Sequence, residues 1–507
     1  MKTRRIGRWH TCAIVFAAMV AASVSWAVEV TPEQATTAAG NWIKRGPARV
    51  KSKFRSTAAK ATVTSRDSSG RVLYHAVNLE GGGFVVTSGD TRLTPVVAFS
   101  DTGCYRDDKD NPLYVLLQAG RANAVASLNA ATNKEGVSNG RSAAESEWRS
   151  LLSDQQERVS NSTGSASSVS VVYVDKLIKT KWGQDSWDGY VDGPSVFNYS
   201  TPNNYVCGCV ATVGAQIMRF WQYPTAEIPQ FSNACAVDDS PVTRYSIAGA
   251  FNWANMPLSA ETTPTVTEAQ KEAIGMLTYN VGVAVGMSWH SGSSGASPFA
   301  LPNALETRFG YQSGGIFVQF DAYLPLGYTA RAEALRNALY ASLDAGMPVC
   351  VSIQGSVSGH AVIADGYGSI LGTSYTHLNM GWAGIDDAWY DLSDALPGPG
   401  TSTYSVIDGL VFNIHPTEKG DVISGRVWSS GGANLAGATV TLRDSSDNLI
   451  GTTTTSESGV YSFRVTTTGK YYLKATYNSV SSDSTEVNMS ALNSSGTYDM
   501  GGFVGNK

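Results

Sequence analysis

The sequence predicts a chain of the α+β class followed by an all-β domain, and three observations support this. First, 507 residues are too many for one ordinary core and fit two to four domains. Second, helical patterns precede short strand-like runs in the middle of the chain, which is the order of an α+β domain. Third, residues 420–507 contain alternating runs at intervals of roughly 10 residues, a spacing typical of a β-sandwich.

The N-terminus has the pattern of a secretory signal peptide. Four basic residues precede an apolar stretch over residues 12–24, and Ser25-Trp26-Ala27 provides a small-residue cleavage site. The stretch is shorter than the roughly 20 residues that a membrane span needs. We therefore predict a cleaved signal peptide over residues 1–27, secretion to the extracellular space or cell surface, and no transmembrane segment.

The charge of the chain argues against a polyanionic partner. It has 42 acidic and 37 basic residues, and no basic cluster follows the N-terminus. Only 16% of residues are charged, which is typical of secreted, strand-rich proteins. We expect no nucleic-acid partner.

Residues 28–165 form the first predicted domain, an α+β unit. It begins with a helix over residues 31–45, where Thr31 and a proline stand at the start. Three Val-, Tyr- and Phe-rich runs and two helical segments follow: strands over 71–77, 83–87 and 93–100, then helices over 113–129 and 143–159. The Ser-rich stretch 160–168 lacks apolar periodicity, so we interpret it as an exposed linker open to proteolysis.

Residues 166–416 form the second predicted domain. Its predicted elements are a helix after Cys209, helices over 266–287 and 330–345, and strands over 349–353, 360–367 and 376–379. The third domain, residues 420–507, has five predicted strands, over 422–427, 438–442, 449–455, 460–465 and 470–475. No residue pattern in this last domain carries recognisable chemistry.

Cys209 stands directly before a run that reads as a buried helix. Unpaired N–H groups at a helix N-terminus favour thiolate over thiol, so we expect this cysteine to be acidified. His360 follows 151 residues later and Asn379 comes after it. This is the order of a papain-like cysteine peptidase, in which the separation is roughly 130–150 residues.

Acyl transfer to a thiolate needs a base, a group that fixes the tautomer of the base, and donors for the oxyanion. The sequence offers Cys209 as nucleophile, His360 as the base that later protonates the leaving amine, and Asn379 as the side chain that holds the imidazole. Gln184 is the candidate oxyanion donor, together with the backbone N–H of Cys209. Asp365 is an alternative orienting group, but five residues along an extended strand place it too far from His360.

These residues lie in motifs that resemble the streptopain family of secreted bacterial cysteine peptidases. The motifs are Trp182-Gly-Gln184, Gly208-Cys-Val-Ala-Thr212, Ala215-Gln-Ile-Met218, Tyr223-Pro224, Gly359-His-Ala361, Asp365-Gly-Tyr367, His377-Leu-Asn379 and Gly381-Trp382. Upstream, Gly83-Phe-Val-Val86, Ser88-Gly-Asp90 and Pro95-Val-Val-Ala-Phe-Ser-Asp-Thr-Gly103 resemble the inhibitory propeptide of that family. The resemblance covers about residues 30–416.

The resemblance implies a papain-like fold and synthesis as a zymogen, with residues 28–165 as an intramolecular inhibitor. It also implies endopeptidase action on protein or peptide substrates, with a bulky apolar residue preferred two places before the cut bond, and no cofactor. The sequence departs from the family at Met380, because a Trp usually follows the strand asparagine. Met380 and Trp382 are therefore predicted to pack over the site, with Trp382 left as the aromatic cover.

Other interpretations fit less well. A metal site at Cys207-Gly-Cys209 lacks a second Cys/His pair at suitable spacing, so we predict no metal. No Gly-x-Ser-x-Gly elbow precedes a helix, which disfavours a serine hydrolase. The alternative from another class is a catalytically inactive, secreted binding or surface protein that retains the peptidase fold, and Met380 is the feature that favours it.

Several roles stay open at the level of sequence. Five cysteines remain after the signal peptide, and a disulfide between Cys207 and Cys235 is one possible pairing. His377 is predicted to be a structural neighbour of Asn379, and His290 lies in a loop that either lines the substrate cleft or is solvated.

The C-terminal domain resembles carboxypeptidase-regulatory-like, Ig-like β-sandwich domains through the segments 423–427, 435–442 and 456–463. Binding to a surface, glycan or protein and a role as spacer all remain open for it.

Overall fold

The computed structural model describes residues 29–503 with internal gaps. The gaps are residues 110, 131–134, 154–170, 188–194, 318–327, 355–358, 396–405, 418–419, 432, 457–458, 490–495 and 498–499. The predicted signal peptide and the predicted Ser-rich linker therefore lie outside the described residues. In the described part of the chain, no helix has the length and apolar character of a membrane span.

The N-terminal region is the predicted combination of helices and antiparallel strands. Its elements are α1 (Pro32–Arg45), α2 (Ala48–Lys51), β1 (Ala59–Arg66), β2 (Val72–Leu79), β3 (Phe84–Ser88), β4 (Val96–Ser100), α3 (Pro112–Ala130) and α4 (Glu135–Leu152). A capping box starts α1, in which the Thr31 hydroxyl accepts from the Gln34 backbone N–H and the Gln34 side chain accepts from Thr31 N–H. Strand β1 was not predicted, because most of its residues are polar and are exposed or only partly buried.

The middle region has its helices before most of its sheet, as predicted for an α+β domain. Its elements are β5 (Val171–Val174), α5 (Cys209–Trp221), β6 (Ser232–Val237), β7 (Ser240–Tyr245), α6 (Glu268–Ala284), β8 (Ser288–Trp289), α7 (Leu301–Phe309), β9 (Tyr311–Phe317), α8 (Tyr328–Asp344), β10 (Val349–Gln354), β11 (Gly359–Ile370), β12 (Thr373–Asn379), β13 (Ala388–Tyr390) and β14 (Ile407–Pro416). The predicted helices and strands after Cys209 are confirmed to within a few residues at their ends.

One sheet runs through both of these regions. Its strand order is β1-β2-β3-β4-β13-β12-β11-β10-β14-β9, and β5 pairs with β11. The junction is made by β4 and β13, where Phe99 pairs with Trp389 and Ala98 with Tyr390. The N-terminal region thus adds four strands to the edge of the catalytic-region sheet.

The two faces of this sheet pack against different helices. Along β11, Ala361 and Ile363 belong to the hydrophobic cluster that contains α5 and α6. Val362 and Ala364 belong to the cluster formed with α3 and α8. Because side chains alternate between the faces of a strand, β11 separates the two clusters, and α5 lies on one side of it.

The C-terminal region is the predicted all-β domain. Its strands are β15 (Asp421–Ser429), β16 (Thr439–Asp444), β17 (Leu449–Thr454), β18 (Val460–Val465), β19 (Gly469–Tyr477), β20 (Val480–Ser481), β21 (Thr485–Met489), β22 (Gly496–Thr497) and β23 (Met500–Phe503). Two sheets form it, one around β15 and β18 and one around β16 and β19. Buried residues from both sheets, such as Ile423 and Leu473, form its separate core.

Candidate active site

Cys209 is the first residue of α5, one position inside the helix that the sequence predicts to follow it. Gly208 before it has φ +88°, and a Cβ there would lie 2.8 Å from the Met287 side chain and 3.0 Å from the Ser294 carbonyl oxygen. Both the backbone conformation and the close approach therefore require glycine at this position. Cys209 itself is half-buried and packs beside the α5 cluster.

The electrostatic environment of Cys209 differs from the prediction of an acidified thiol. Burial raises the pKa of Cys209 above the ordinary value of a cysteine. Hydrogen bonds from the backbone N–H groups of Ala361, Val210 and Cys209 lower that pKa, but they do not outweigh burial. The helix N-terminus thus acts in the predicted direction, but burial outweighs it and favours the thiol form.

His360 is the second residue of β11 and pairs with Ile353 of β10. The next residue, Ala361, is the one whose N–H contacts the Cys209 sulfur. The chain therefore brings the start of β11 against the N-terminus of α5, as a papain-like Cys and His require.

Gln184 is half-buried and lies beside the first turn of α5. Its backbone carbonyl accepts a hydrogen bond from the Cys207 N–H at 2.9 Å. The preceding carbonyl, that of Gly183, accepts from the Thr212 hydroxyl of α5 at 3.2 Å. Two hydrogen bonds thus fix the Gln184 backbone close to Cys209, and the role of its amide as oxyanion donor stays a prediction.

Asn379 ends β12 and is buried. Its Oδ1 accepts from Gln216 Nε2 and from the Gly381 N–H, each at 3.0 Å, and its Nδ2 donates to the Thr180 carbonyl at 2.9 Å. Both acceptor positions of the amide oxygen are therefore engaged in this state. A role in holding the His360 imidazole stays a prediction, and it would require one of these donors to be exchanged.

Met380 and Trp382 follow Asn379 but occupy different surroundings. Met380 is fully buried in the cluster with α3 and α8, and its N–H donates to the Asp387 carboxylate at 2.8 Å. Trp382 is half-buried in the loop 381–386, and the neighbouring Ala383 N–H donates to the Trp182 carbonyl at 3.1 Å. Met380 thus contributes to core packing, while the Trp382 loop adjoins the segment that carries Gln184.

His377 and Asp365 form a buried pair in adjacent strands. His377 Nδ1 lies 2.5 Å from Asp365 Oδ1, and Asp365 Oδ2 accepts from the Ile178 N–H at 2.9 Å. The Asp365 carboxylate is therefore engaged with His377 and the backbone. This agrees with the prediction that His377 is structural and that Asp365 does not orient His360.

The loop that contains His290 flanks the nucleophile. Ser294 in this loop approaches Gly208, and the Ser294 hydroxyl accepts from the His290 N–H at 3.0 Å. His290 Nε2 lies 3.4 Å from Asp239 Oδ1, on the turn between β6 and β7. The loop thus packs against the residue that precedes Cys209, while residues 291–293 at its tip are exposed to solvent.

The remaining cysteines of the catalytic region are free thiols. Cys207, Cys235 and Cys350 are buried and unbridged, so the possible Cys207–Cys235 pairing is wrong. Burial raises the pKa of Cys207 to about 12 and that of Cys235 to about 11, which keeps both as neutral core residues. Among the described residues, no group of three or more Cys, His, Asp or Glu side chains could hold a metal ion.

The fold and the site together define a papain-like cysteine peptidase with an N-terminal propeptide-like region. Comparison with family models identifies the same three parts. The middle region matches the Peptidase C10 family over residues 190–390, the N-terminal region matches the Spi protease inhibitor over 27–123, and the C-terminal region matches the carboxypeptidase regulatory-like domain over 422–499. The chain is a cysteine-type peptidase whose residues 190–390 match the Peptidase C10 family, and its resemblance to streptopain is confirmed.

Individual relatives agree with this assignment. Streptopain of Streptococcus pyogenes is 23% identical over 363 residues, which cover 69% of this chain and 82% of streptopain. The thiol protease/hemagglutinin PrtT of Porphyromonas gingivalis is 26% identical over 218 residues, which cover 41% of this chain and 23% of PrtT.

Solved structures similar to this chain come from Prevotella intermedia. A prointerpain A fragment is 21% identical with a TM-score of 0.48, and the match covers 69% of this chain and 97% of the fragment. The active wild-type interpain A cysteine protease is 25% identical with a TM-score of 0.35, covering 47% and 93% respectively.

Proposed function

We propose that this chain is a secreted bacterial cysteine endopeptidase, made as a zymogen, that hydrolyses peptide bonds in proteins through an acyl-enzyme on Cys209. The observation that carries the proposal is the meeting of three segments at the N-terminus of α5. Cys209 begins the helix, and the Ala361 N–H of β11, next to His360, hydrogen-bonds the Cys209 sulfur. The Gln184 carbonyl accepts a hydrogen bond from the Cys207 N–H.

The proposed chemistry assigns one role to each candidate. The Cys209 sulfur attacks the scissile carbonyl carbon while His360 accepts the thiol proton. The oxyanion that forms accepts hydrogen bonds from the Cys209 N–H and the Gln184 side-chain amide. His360 then gives its proton to the leaving amine, and water hydrolyses the thioester to release the acid and restore the thiol. Asn379 orients the imidazole during these steps.

The N-terminal region, with a proposed boundary near residue 165, acts as an intramolecular inhibitor. Its contacts with the catalytic region support this role. β4 extends the catalytic sheet at β13, and polar contacts lie along the same junction: Asn111 Nδ2 donates to Asp386 Oδ2 at 2.9 Å, Arg49 pairs with Asp175 at 2.9 Å, and Lys176 pairs with Asp101 at 3.4 Å. Asp386 ends the loop that carries Trp382, so the inhibitor contacts a loop of the active site directly.

The remaining parts of the proposal concern surroundings and substrates. Proteins or peptides are the substrates, and no nucleic acid takes part. Secretion follows from the predicted signal peptide. The C-terminal domain, from about residue 420, binds a surface, a glycan or another protein or serves as a spacer, and it contributes none of the residues of the proposed chemistry.

The test compares the wild-type chain with its Cys209→Ala variant under reducing conditions. Chain length is followed by gel and mass spectrometry, and casein hydrolysis is measured in the same samples. We expect trimming between residues 155 and 172 together with hydrolysis in the wild type alone, because both need the nucleophile. Equal trimming of both chains would show that another protease performs maturation. If neither the wild type nor the Cys209→Ala variant hydrolyses casein, even after removal of residues 28–165, the result would favour the catalytically inactive binding protein.

A further inference from the structure

We propose that Gln216 is a positioning residue that fixes three segments of the active site relative to one another; this inference rests on the proposed peptidase function. Gln216 lies on α5 seven residues after Cys209 and is fully buried. Seven residues are about two turns of helix, so Gln216 and Cys209 lie on the same side of α5. A polar side chain at such a position is retained only when its hydrogen bonds are satisfied.

The amide oxygen of Gln216 holds the segment that leads to the oxyanion donor. Gln216 Oε1 accepts from the Thr180 hydroxyl at 2.8 Å and from the Trp182 N–H at 3.3 Å. Trp182 stands two residues before Gln184. The Gln216 contact therefore fixes one end of the short segment whose other end is tied to Cys207.

The amide nitrogen of Gln216 holds the strand end at Asn379. Gln216 Nε2 donates to Asn379 Oδ1 at 3.0 Å, while Asn379 Nδ2 donates to the Thr180 carbonyl at 2.9 Å and approaches Gln216 Oε1 at 3.4 Å. The same Asn379 oxygen accepts from Gly381, the residue before Trp382. Gln216 thus links α5, the Gln184 segment and the Trp382 loop through one closed set of hydrogen bonds.

The chemistry of the contacts requires a side chain that both accepts and donates. The Trp182 N–H can only donate, so an oxygen must face it, and the Asn379 oxygen that also receives the Gly381 N–H requires a donor. A carboxylate at position 216 would keep the first contact and place an oxygen against Asn379 Oδ1. Rotation of the Asn379 amide would not relieve this, because its oxygen would then face the Thr180 carbonyl and leave Gly381 without an acceptor.

Positioning matters because small displacements of catalytic groups have large kinetic effects. A misplacement of about 1 Å can lower turnover about 100-fold even when the substituted residue lies away from the reacting atoms. Loss of the Gln216 contacts would release both the Gln184 segment and Asn379, so turnover should fall while substrate binding is largely retained.

The test uses the full chain, activated by limited trypsin digestion that is then stopped with a serine-protease inhibitor. The variants are Gln216→Met, which removes both contacts, and Gln216→Glu, which keeps the oxygen contacts alone. Asn280→Leu is the matched control, since Asn280 is an equally buried helical amide that bonds the Ile247 N–H at 2.8 Å and the Ile247 carbonyl at 2.9 Å. Gln184→Ala provides a benchmark for direct loss of an oxyanion donor, and Cys209→Ala gives the background.

We expect Gln216→Met to lower kcat about 10- to 100-fold with KM changed less than about twofold. Its thermal midpoint should fall no further than that of Asn280→Leu, whose kcat should stay near wild type. The Gln216→Glu variant adds a readout that a purely structural role would not change. The groups that hydrogen-bond Gln216 are uncharged, so a protonated Glu could again donate to Asn379. The charged groups on the segments packed around it are engaged elsewhere: Arg219 donates to the Met256 carbonyl, Lys181 pairs with Glu261, and Asp387 accepts from the Met380 N–H. The ratio of its kcat to the wild-type kcat should therefore rise between pH 8 and pH 5, while the ratio for Gln216→Met stays flat.

An unchanged kcat in Gln216→Met would overturn the inference, as would equal losses of kcat in Gln216→Met and Asn280→Leu. A flat ratio for Gln216→Glu would remove the proposed donation to Asn379. Failure of the underlying function is distinguishable, since the activated wild type would then show no hydrolysis above the Cys209→Ala background.

Discussion

The two terminal regions are attached to the catalytic region in different ways. The N-terminal region extends the central sheet through β4 and β13, and it adds polar contacts with Asp386 and Asp175. The C-terminal sandwich contacts the other end of α5. There the Arg464 guanidinium lies 4.8 Å from the centre of the Trp221 ring, and Val422 packs in a small apolar cluster with Met347.

The difference matters because of where each contact lies. Trp221 ends the helix that Cys209 begins, so the C-terminal contact is roughly 20 Å from the nucleophile at 1.5 Å per residue. The N-terminal contact includes Asp386, in the loop that follows Asn379 and carries Trp382. We infer that one attachment controls the active site and is separated by cleavage, while the other mainly adds stability.

The largest expected effect comes from removing each terminal region in turn. Cleavage between residues 155 and 172 should raise peptidase activity by at least about 100-fold, which corresponds to loss of an inhibitory free energy of about 2.7 kcal/mol. Removal of residues 420–507 from the cleaved protein should change kcat by less than about twofold, because the contact is distant from Cys209. Casein hydrolysis by the four combinations of these two changes gives the measurement. A large loss of activity on removal of the C-terminal domain would contradict the inference that only the N-terminal attachment controls the active site.

The second prediction concerns pH and the junction at Asp386. Burial raises the pKa of Asp386 to about 7, with a further rise from the charges of Asp387 and Asp108 and an opposing effect of Arg106. Asp386 Oδ1 has no hydrogen-bond partner among the described residues, which suits a carboxyl that carries a proton. A raised pKa means that the contribution to docking is complete below the pKa of a free carboxyl and is lost as pH rises through about 7.

The measurement uses Cys209→Ala protein cleaved in trans, so that the N-terminal fragment binds non-covalently. Its Kd should be at least about tenfold weaker at pH 8 than at pH 5, since one pKa unit corresponds to a factor of ten. Glu147 of α4, which burial also shifts to a pKa of about 7, acts in the same direction. Asp386→Asn should therefore reduce the pH dependence without abolishing it. An Asp386→Asn variant with the full wild-type dependence would contradict this role of Asp386.

The smallest expected effect comes from Arg464→Ala. A cation–π contact of this kind contributes about 0.5–1 kcal/mol, so the thermal midpoint should fall by a few degrees at most. The kcat on casein should not change. Arg443→Ala is the control, because Arg443 lies in the same domain with an exposed ion pair to Asp447 at 3.6 Å and should leave the midpoint unchanged. A marked fall in kcat for Arg464→Ala would show that the C-terminal contact influences the site.

Much of this organisation can be predicted from local patterns. The helix after Cys209 is buried on most of its length, and its apolar run made it easy to predict. The sandwich strands alternate between apolar and polar residues, and five of them lie close to their predicted limits. The strand β13 was missed because three residues carry too little periodicity to identify a strand, although this strand joins the two regions.

The sequence predicts which residues are candidates for the site better than it predicts their hydrogen-bond partners. Sequence order selected Cys209, His360, Gln184 and Asn379 as candidates, but hydrogen-bond partners depend on contacts between distant segments. Gln216 lies in the segment Ala215-Gln-Ile-Met218 and had no predicted role, although a polar side chain in an apolar helix is a signal of buried hydrogen bonds. The possible Cys207–Cys235 disulfide was wrong for the same reason, since pairing depends on distance in space.

The most direct measurement is alkylation by a thiol-directed epoxide inhibitor, mapped by mass spectrometry in the full-length zymogen and in the cleaved protein. The central claim is that Cys209 is a nucleophile restrained by the N-terminal region. It predicts rapid modification of Cys209 after cleavage, much slower modification before it, and no modification of buried Cys207 in either state. Equal rates in the two states would contradict the restraint, and the absence of modification at Cys209 after cleavage would contradict the nucleophile itself.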